Sequence, residues 1–152
     1  MTNELALDRQ VCFALYSASR ATTAVYRPML DELGVTYPQY LVLLVLWEKD
    51  GRGVKDICAE LDLDTGTLSP MLKRLEGLGF IERRRLSTDE RRVEIHLTET
   101  GSAMRAKALD IPRKLAEKTG MNVDDLVKLK ESLDALTSAL HHTDSSTTEG
   151  ES

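Results

Sequence analysis

Between Phe80 and Leu97 the chain changes its hydrophobic period, and that change limits the possible folds more than any other feature of the sequence. Phe80-Ile81-Glu82-Arg83-Arg84-Arg85 and Arg92-Val93-Glu94-Ile95-His96-Leu97 are β-prone; in the second, Val93, Ile95 and Leu97 alternate with Arg92, Glu94 and His96. The polar run Leu86-Ser87-Thr88-Asp89-Glu90-Arg91 between them predicts the turn of a hairpin. Just upstream the period is helical. Val54, Ile57, Cys58 and Leu61 stand at i, i+3, i+4 and i+7, and after the turn Asp62-Leu63-Asp64 a second apolar set follows: Leu68, Met71, Leu72, Leu75 and Leu78, ending near Gly77 or Gly79. Two short amphipathic helices joined by a tight turn form a helix-turn-helix. A hairpin directly behind it makes a winged helix. Pro70 leaves the start of the second helix open: either Asp64 caps it, or it begins at Ser69-Pro70.

The rest of the pattern is helical, so the fold class is mainly α with one small β-hairpin wing. From about Asp8 to Leu33 the positions Val11, Leu15, Ala18, Thr22, Val25 and Met29 recur at steps of three and four, one stripe of a long helix. Gly34 ends it, and Pro28 inside it predicts a kink. Pro38 suits a helix start with Thr36 as its cap; Tyr40 to Trp47 is so apolar that this helix should be buried nearly all round, as the central core. Beyond the hairpin, Thr98 can cap a helix over Glu99 to Lys118, and a last one is expected over Asn122 to His141, six in all. Residues 143–152 are Ser, Thr and acidic, with almost nothing to bury, and predict a disordered tail.

Composition narrows the function classes. At 152 residues, 41% hydrophobic and 30% charged, the chain suits one compact domain, and no apolar run reaches the roughly 20 residues that span a bilayer. The start Met1-Thr2-Asn3-Glu4 has no secretory character, so a cytoplasmic location away from membranes is expected. Cys12 and Cys58 form neither a CxxC pair nor a disulfide framework, and both thiols should rest free. His96, His141 and His142 lack companions at metal-ligand spacing; neither a metal nor another cofactor is expected. The net charge of −5 is unevenly spread: Lys73 to Arg92 holds seven bases against four acids, whereas Asp144 to Glu151 holds three acids and no base. Phosphate contacts are made by one face, so local charge outweighs the total.

On the second short helix, the outward positions Thr65, Gly66, Thr67 and Ser69 are small or hydroxylic and fit close approach to a major groove. Lys73 and Arg74 are placed for phosphate or guanine. Cys12 poses a different chemistry. A thiol that reacts with peroxide needs stabilisation of its thiolate, access, and hydrogen-bond donors. Cys12 lies near the start of the first helix, with Arg9 one turn earlier, and Val11, Phe13 and Leu15 offer apolar surface for an alkyl group. Tyrosine hydroxyls can donate. Tyr26, however, is 14 residues away, about 21 Å along one helix, so the two cannot meet within a straight element. They can meet if two first helices cross antiparallel near the small residues Ala18 and Ser19. Cys58 lies on the inward face of its helix and reads as packing.

Asp89-Glu90-Arg91 followed by Leu97-Thr98-Glu99-Thr100-Gly101 resembles the wing signature of the MarR family of bacterial transcription regulators. Cys12-Phe13-Ala14-Leu15-Tyr16-Ser17-Ala18 together with Leu33-Gly34-Val35-Thr36-Tyr37-Pro38-Gln39-Tyr40 resembles its organic-hydroperoxide-sensing branch, the OhrR repressors. The resemblance implies a homodimer. Residues 5–35 and 99–141 would be its dimerisation helices and 36–98 the DNA-binding lobe of a single domain. It further implies that Tyr26 and Tyr37 of one subunit contact the Cys12 sulfur of the other, and that Arg91, steadied by Asp89, enters a minor groove of double-stranded DNA.

OhrR-like chains carry out the second oxidation step either with a C-terminal cysteine or with a small external thiol. No cysteine follows residue 58, so a low-molecular-weight thiol is the expected partner. The expected function is a repressor that releases a palindromic operator when an organic hydroperoxide oxidises Cys12. The alternative is a MarR-type regulator answering a small aromatic ligand in the dimer cleft. An enzyme such as a thiol peroxidase is disfavoured: GxGxxG, P-loop, Ser-His-Asp and an obvious resolving partner are all missing.

Overall fold

The structure, a computed structural model, describes residues 3–86 and 89–146; of residues 89–91 and 143–146 it describes the backbone only. The chain divides into two compact units, Met1–Ile111 and Pro112–Ser152.

In the first unit a short 3-10 turn, Leu7–Arg9, precedes helix α1, Val11–Leu33. Arg9 therefore belongs to that turn and not to the helix of Cys12. Gly34 closes α1 in the left-handed conformation, its N–H on the carbonyls of Asp31 and Leu30, a geometry open to glycine without steric cost. Pro28 lies inside α1, which continues past it to Leu33. Helix α2, Tyr37–Glu48, starts with a capping box: the Thr36 hydroxyl accepts from the Gln39 N–H, and the Gln39 side chain accepts from the Thr36 N–H. Gln39, Tyr40, Val42, Leu43, Val45 and Leu46 of α2 are buried, which makes it the central core helix. Around it pack Ile57 of α3 (Val54–Leu61), Leu68, Leu72 and Leu75 of α4 (Thr65–Gly77), and Met104 and Ala108 of α5 (Glu99–Ala108).

The Pro70 ambiguity has a clear outcome. Asp64 caps α4, its carboxylate accepting from the Thr67 N–H at 2.6 Å, and Pro70 sits six residues into the helix. Its missing N–H deprives only the carbonyl of Gly66, in the first turn. Strands β2, Ile81–Leu86, and β3, Asp89–Leu97, form the wing, with pairing that runs from Ile81↔Leu97 to Leu86↔Asp89 and an irregularity at Arg85/Leu86. The expected turn over 86–91 is thus shorter, because an exposed antiparallel ladder needs no apolar side chains to continue. A third strand escaped the pattern: β1, Arg52–Gly53, pairs with β3 and gives the order β1-β3-β2. Two residues are too few to show alternation.

The helix expected over Glu99 to Lys118 is delivered as α5 and α6, the latter Ile111–Thr119. Pro112 explains the break, since its ring has no N–H for the carbonyl of Ala108 and crowds it. In the second unit α7, Val123–Ser146, starts where the Asn122 side chain accepts from the Asp125 N–H, and it runs five residues past His141. Residues 143–146, assigned by composition to the tail, fall within α7; residues 147–152 lie outside the described residues. None of residues 112–142 is buried. No helix among the described residues is long and apolar enough to cross a membrane.

Candidate thiol and nucleic-acid site

Cys12 occupies the first turn of α1 and is exposed. Gln10, at the N-cap of α1, makes no side-chain cap; its amide turns back to the carbonyls of Glu4 and Ala6. Nor does α1 carry an acid in its first turn. The backbone N–H groups of the first turn of α1 are therefore left without a side-chain cap beside the thiol.

Three of the four tyrosines gather at the other end of α1. Tyr26 and Tyr37 have ring centroids 4.9 Å apart, Tyr26 and Tyr40 5.9 Å, and Tyr37 and Tyr40 6.3 Å. Burial, then the neighbouring Tyr37 and Tyr40, pushes the Tyr26 phenol up to about 12, and burial with Tyr37 raises Tyr40 as well. These phenols stay protonated at neutral pH and keep their O–H donors. Tyr26 and Tyr37 are therefore brought together within one chain, while Cys12 stands 14 residues away along α1, about 21 Å. Tyr40 and, 6.3 Å beyond it, Trp47 extend the cluster. The sequence reading left both among core aromatics; the signal available was helical spacing, 37, 40 and 47 falling on one stripe of α2.

The reading head carries its polar residues outward. Thr65, Gly66, Thr67, Lys73 and Arg74 are exposed and Ser69 is half-buried, while Leu68, Leu72 and Leu75 face the core. The hydrogen bond from Thr67 holds the Asp64 carboxyl below its ordinary value. Cys58 lies at the joint between α3 and α4, its sulfur 4.0 Å from the Thr65 hydroxyl. On the wing, the side chains of Asp89 and Arg91 lie outside the described residues. Four further arginines stand on the wing strands. Arg83 bridges to Glu76 of α4 at 3.5 Å and Arg84 to Glu82 at 2.6 Å, whereas Arg85 and Arg92 are exposed with no ion pair among the described residues. Buried Arg52 braces the base of the wing, with Nε on the Lys49 carbonyl and Nη1 3.3 Å from Glu60.

A helix-turn-helix followed by a β-hairpin, with a short third strand ahead of it completing the sheet, defines a winged helix. Residues 24–107 match the family model described as transcriptional regulator SarA/Rot. The organic hydroperoxide resistance transcriptional regulator of Bacillus subtilis (strain 168) is 47% identical over 139 residues, 91% of this chain and 95% of that one. The solved structure of reduced AbfR bound to DNA is 34% identical with a TM-score of 0.77, over 90% of this chain and 94% of AbfR. Disulfide-formed AbfR, 36% identical, superposes at 0.63 over 86% and 92%. The chain belongs to the MarR family of transcription regulators, in its organic hydroperoxide resistance branch.

Proposed function

We propose that the chain is a dimeric DNA-binding repressor that senses organic hydroperoxides through Cys12 and then leaves a palindromic operator. One observation carries this reading: the tyrosine cluster and the exposed thiol lie at opposite ends of α1, too far apart for one chain to join them. Two α1 helices crossing antiparallel bring Cys12 of each subunit to Tyr26 and Tyr37 of the other. Ser17, Ala18, Ser19, Ala21 and Ala24 line the middle of α1 with small side chains that allow close approach. Val11, Phe13 and Tyr16 on α1, and Val123, Val127 and Leu140 on α7, are exposed apolar residues that a second subunit would cover. Residues 5–35 and 99–141 then serve dimerisation, and 36–98 reads DNA.

The chemistry balances without a cofactor. The Cys12 thiolate attacks the terminal peroxide oxygen, the O–O bond breaks, and sulfenic acid and an alcohol form; a low-molecular-weight thiol then displaces water to give a mixed disulfide. Either adduct removes the thiolate that the tyrosines face. Moving the population from DNA-competent to incompetent requires about 5.5 kcal/mol of differential interaction. On DNA, Thr65, Gly66, Thr67, Ser69, Lys73 and Arg74 enter the major groove, and Arg91, held by Asp89, reads the minor groove. Arg85 and Arg92, with no ion pair among the described residues, are further wing cations for phosphate. Two-fold symmetry sets half-sites about 34 Å apart. Such a protein works on chromosomal DNA in the cytoplasm.

The test is a gel shift on the palindrome of its own promoter region, with reduced protein, with stoichiometric cumene hydroperoxide, and after excess dithiothreitol. Release and recovery are expected, and Cys12→Ser should bind DNA but ignore the oxidant. A Cys12→Ser protein that still releases would place the trigger elsewhere, as with an aromatic ligand in the dimer cleft.

A further inference from the structure

The tyrosine cluster does not end at the thiol site. Tyr37, Tyr40 and Trp47 share one stripe of α2, with rings 6.3 Å apart at each step, and 10 residues of helix carry that stripe about 15 Å through the core. At the far end the Trp47 indole N–H donates to the Gly101 carbonyl at 3.0 Å. Gly101 is closely packed: a Cβ there would lie 2.0 Å from the Phe80 carbonyl oxygen. Around it the first turn of α5 is tied to the bend between α4 and β2. Thr98 donates its N–H to Phe80 at 3.0 Å and its hydroxyl to Gly79 at 2.6 Å, and the Leu97 N–H meets Asp50 at 2.8 Å. Reading helix, wing and α5 therefore meet at one point, and α2 reaches it through the Trp47 side-chain hydrogen bond.

We propose that Trp47 is the positioning residue through which displacement of Tyr37 and Tyr40 reaches the DNA-reading head, an inference that rests on the peroxide-sensing reading above. Val42, Leu43 and Leu46 leave α2 no room to deform locally, so a shift at its start moves the helix as a rod. The Trp47 N–H then draws the Gly101 carbonyl, and with it the bend at Phe80, out of register with DNA. Without that N–H the joint keeps its own bonds through Thr98, so reduced protein still binds. What is lost is transmission.

Trp47→Phe keeps a ring and removes the N–H. Operator affinity is measured for wild type and variant, each reduced and after stoichiometric cumene hydroperoxide, with Cys12 oxidation verified by mass. Expected are equal affinities when reduced and a ratio of reduced to oxidised affinity that falls about fivefold in the variant, the worth of one neutral hydrogen bond. An unchanged ratio in a variant that folds overturns the inference and leaves peroxide sensing intact; a wild type that ignores peroxide overturns sensing itself. Should the variant fail to fold, the emission of Trp47, the sole tryptophan, decides. It is expected to change on oxidation of the wild type and not of Cys12→Ser; identical spectra in both would overturn the role.

Discussion

Helices α1 and α2 are neighbours in sequence, and their apolar residues have opposite fates. Six of the 12 residues of α2 are buried, whereas Leu30 alone of the 23 in α1 is. Val11, at the head of the stripe that sequence periodicity assigns to α1, is 67% exposed. Their starts differ as well: Thr36 and Gln39 close α2 with reciprocal bonds, while Gln10 leaves α1 open beside Cys12. An apolar stripe therefore does not say whether its partner is in the same chain. In α2 it builds the core; in α1 it is surface left for another molecule, with the thiol at its unguarded end.

The sharpest way to break this comparison is to truncate each helix. Leu43→Ala, at a fully buried site, is expected to cost about 2–5 kcal/mol in urea unfolding and to be severe at any protein concentration. Val11→Ser should instead leave the unfolding of an isolated subunit within about 0.5 kcal/mol, the usual range for an exposed site. Its effect belongs to association. Losing a buried valine costs about 1.5 kcal/mol, and a symmetric dimer loses two, so sedimentation should show subunit association weakened about a hundredfold. If Val11→Ser unfolded the chain as Leu43→Ala does, α1 would be core and the comparison would fail.

A smaller effect sharpens the contrast at the tyrosine end. Tyr26 holds its proton to about 12 when folded but to about 10 when unfolded. Between these values the unfolded chain has released a proton that the folded one retains, so stability is intact below about pH 10 and falls as pH rises towards 12. Tyr26→Phe should flatten that alkaline loss in a pH series of thermal melts. An unaltered alkaline limb would mean that the phenol is not held in the cluster as the structure has it.

Much of the architecture was legible because it follows from local rules. The cap Thr36, the stop at Gly34, the two periods on either side of Gly79 and the cap Thr98 all act within a few residues of themselves. Where the reading fell short, the missing information was of longer range or of competing local kinds. Strand β1 exists only because β3 lies beside it. Pro112 divided a helix that its flanking pattern joined. Helix α7 ran on through residues whose polarity had suggested a tail. Tyr40 and Trp47 looked like packing because nothing in one dimension shows a ring chain ending on a carbonyl 54 residues away.

By itself the sequence determined the winged-helix order, the helix starts and stops, and which residue types stand at the thiol and on the reading helix. These depend on backbone propensity, capping and hydrophobic period, which are properties of neighbours. Only the tertiary structure decided that α2 is enclosed while α1 is not. It also decided that Tyr26, Tyr37 and Tyr40 share one cluster, in which the Tyr26 and Tyr40 phenols are raised, and that Trp47 bonds Gly101 at the joint of head and wing. Burial, ring contact and a carbonyl within reach depend on which distant segments the fold brings together, and no local period records them.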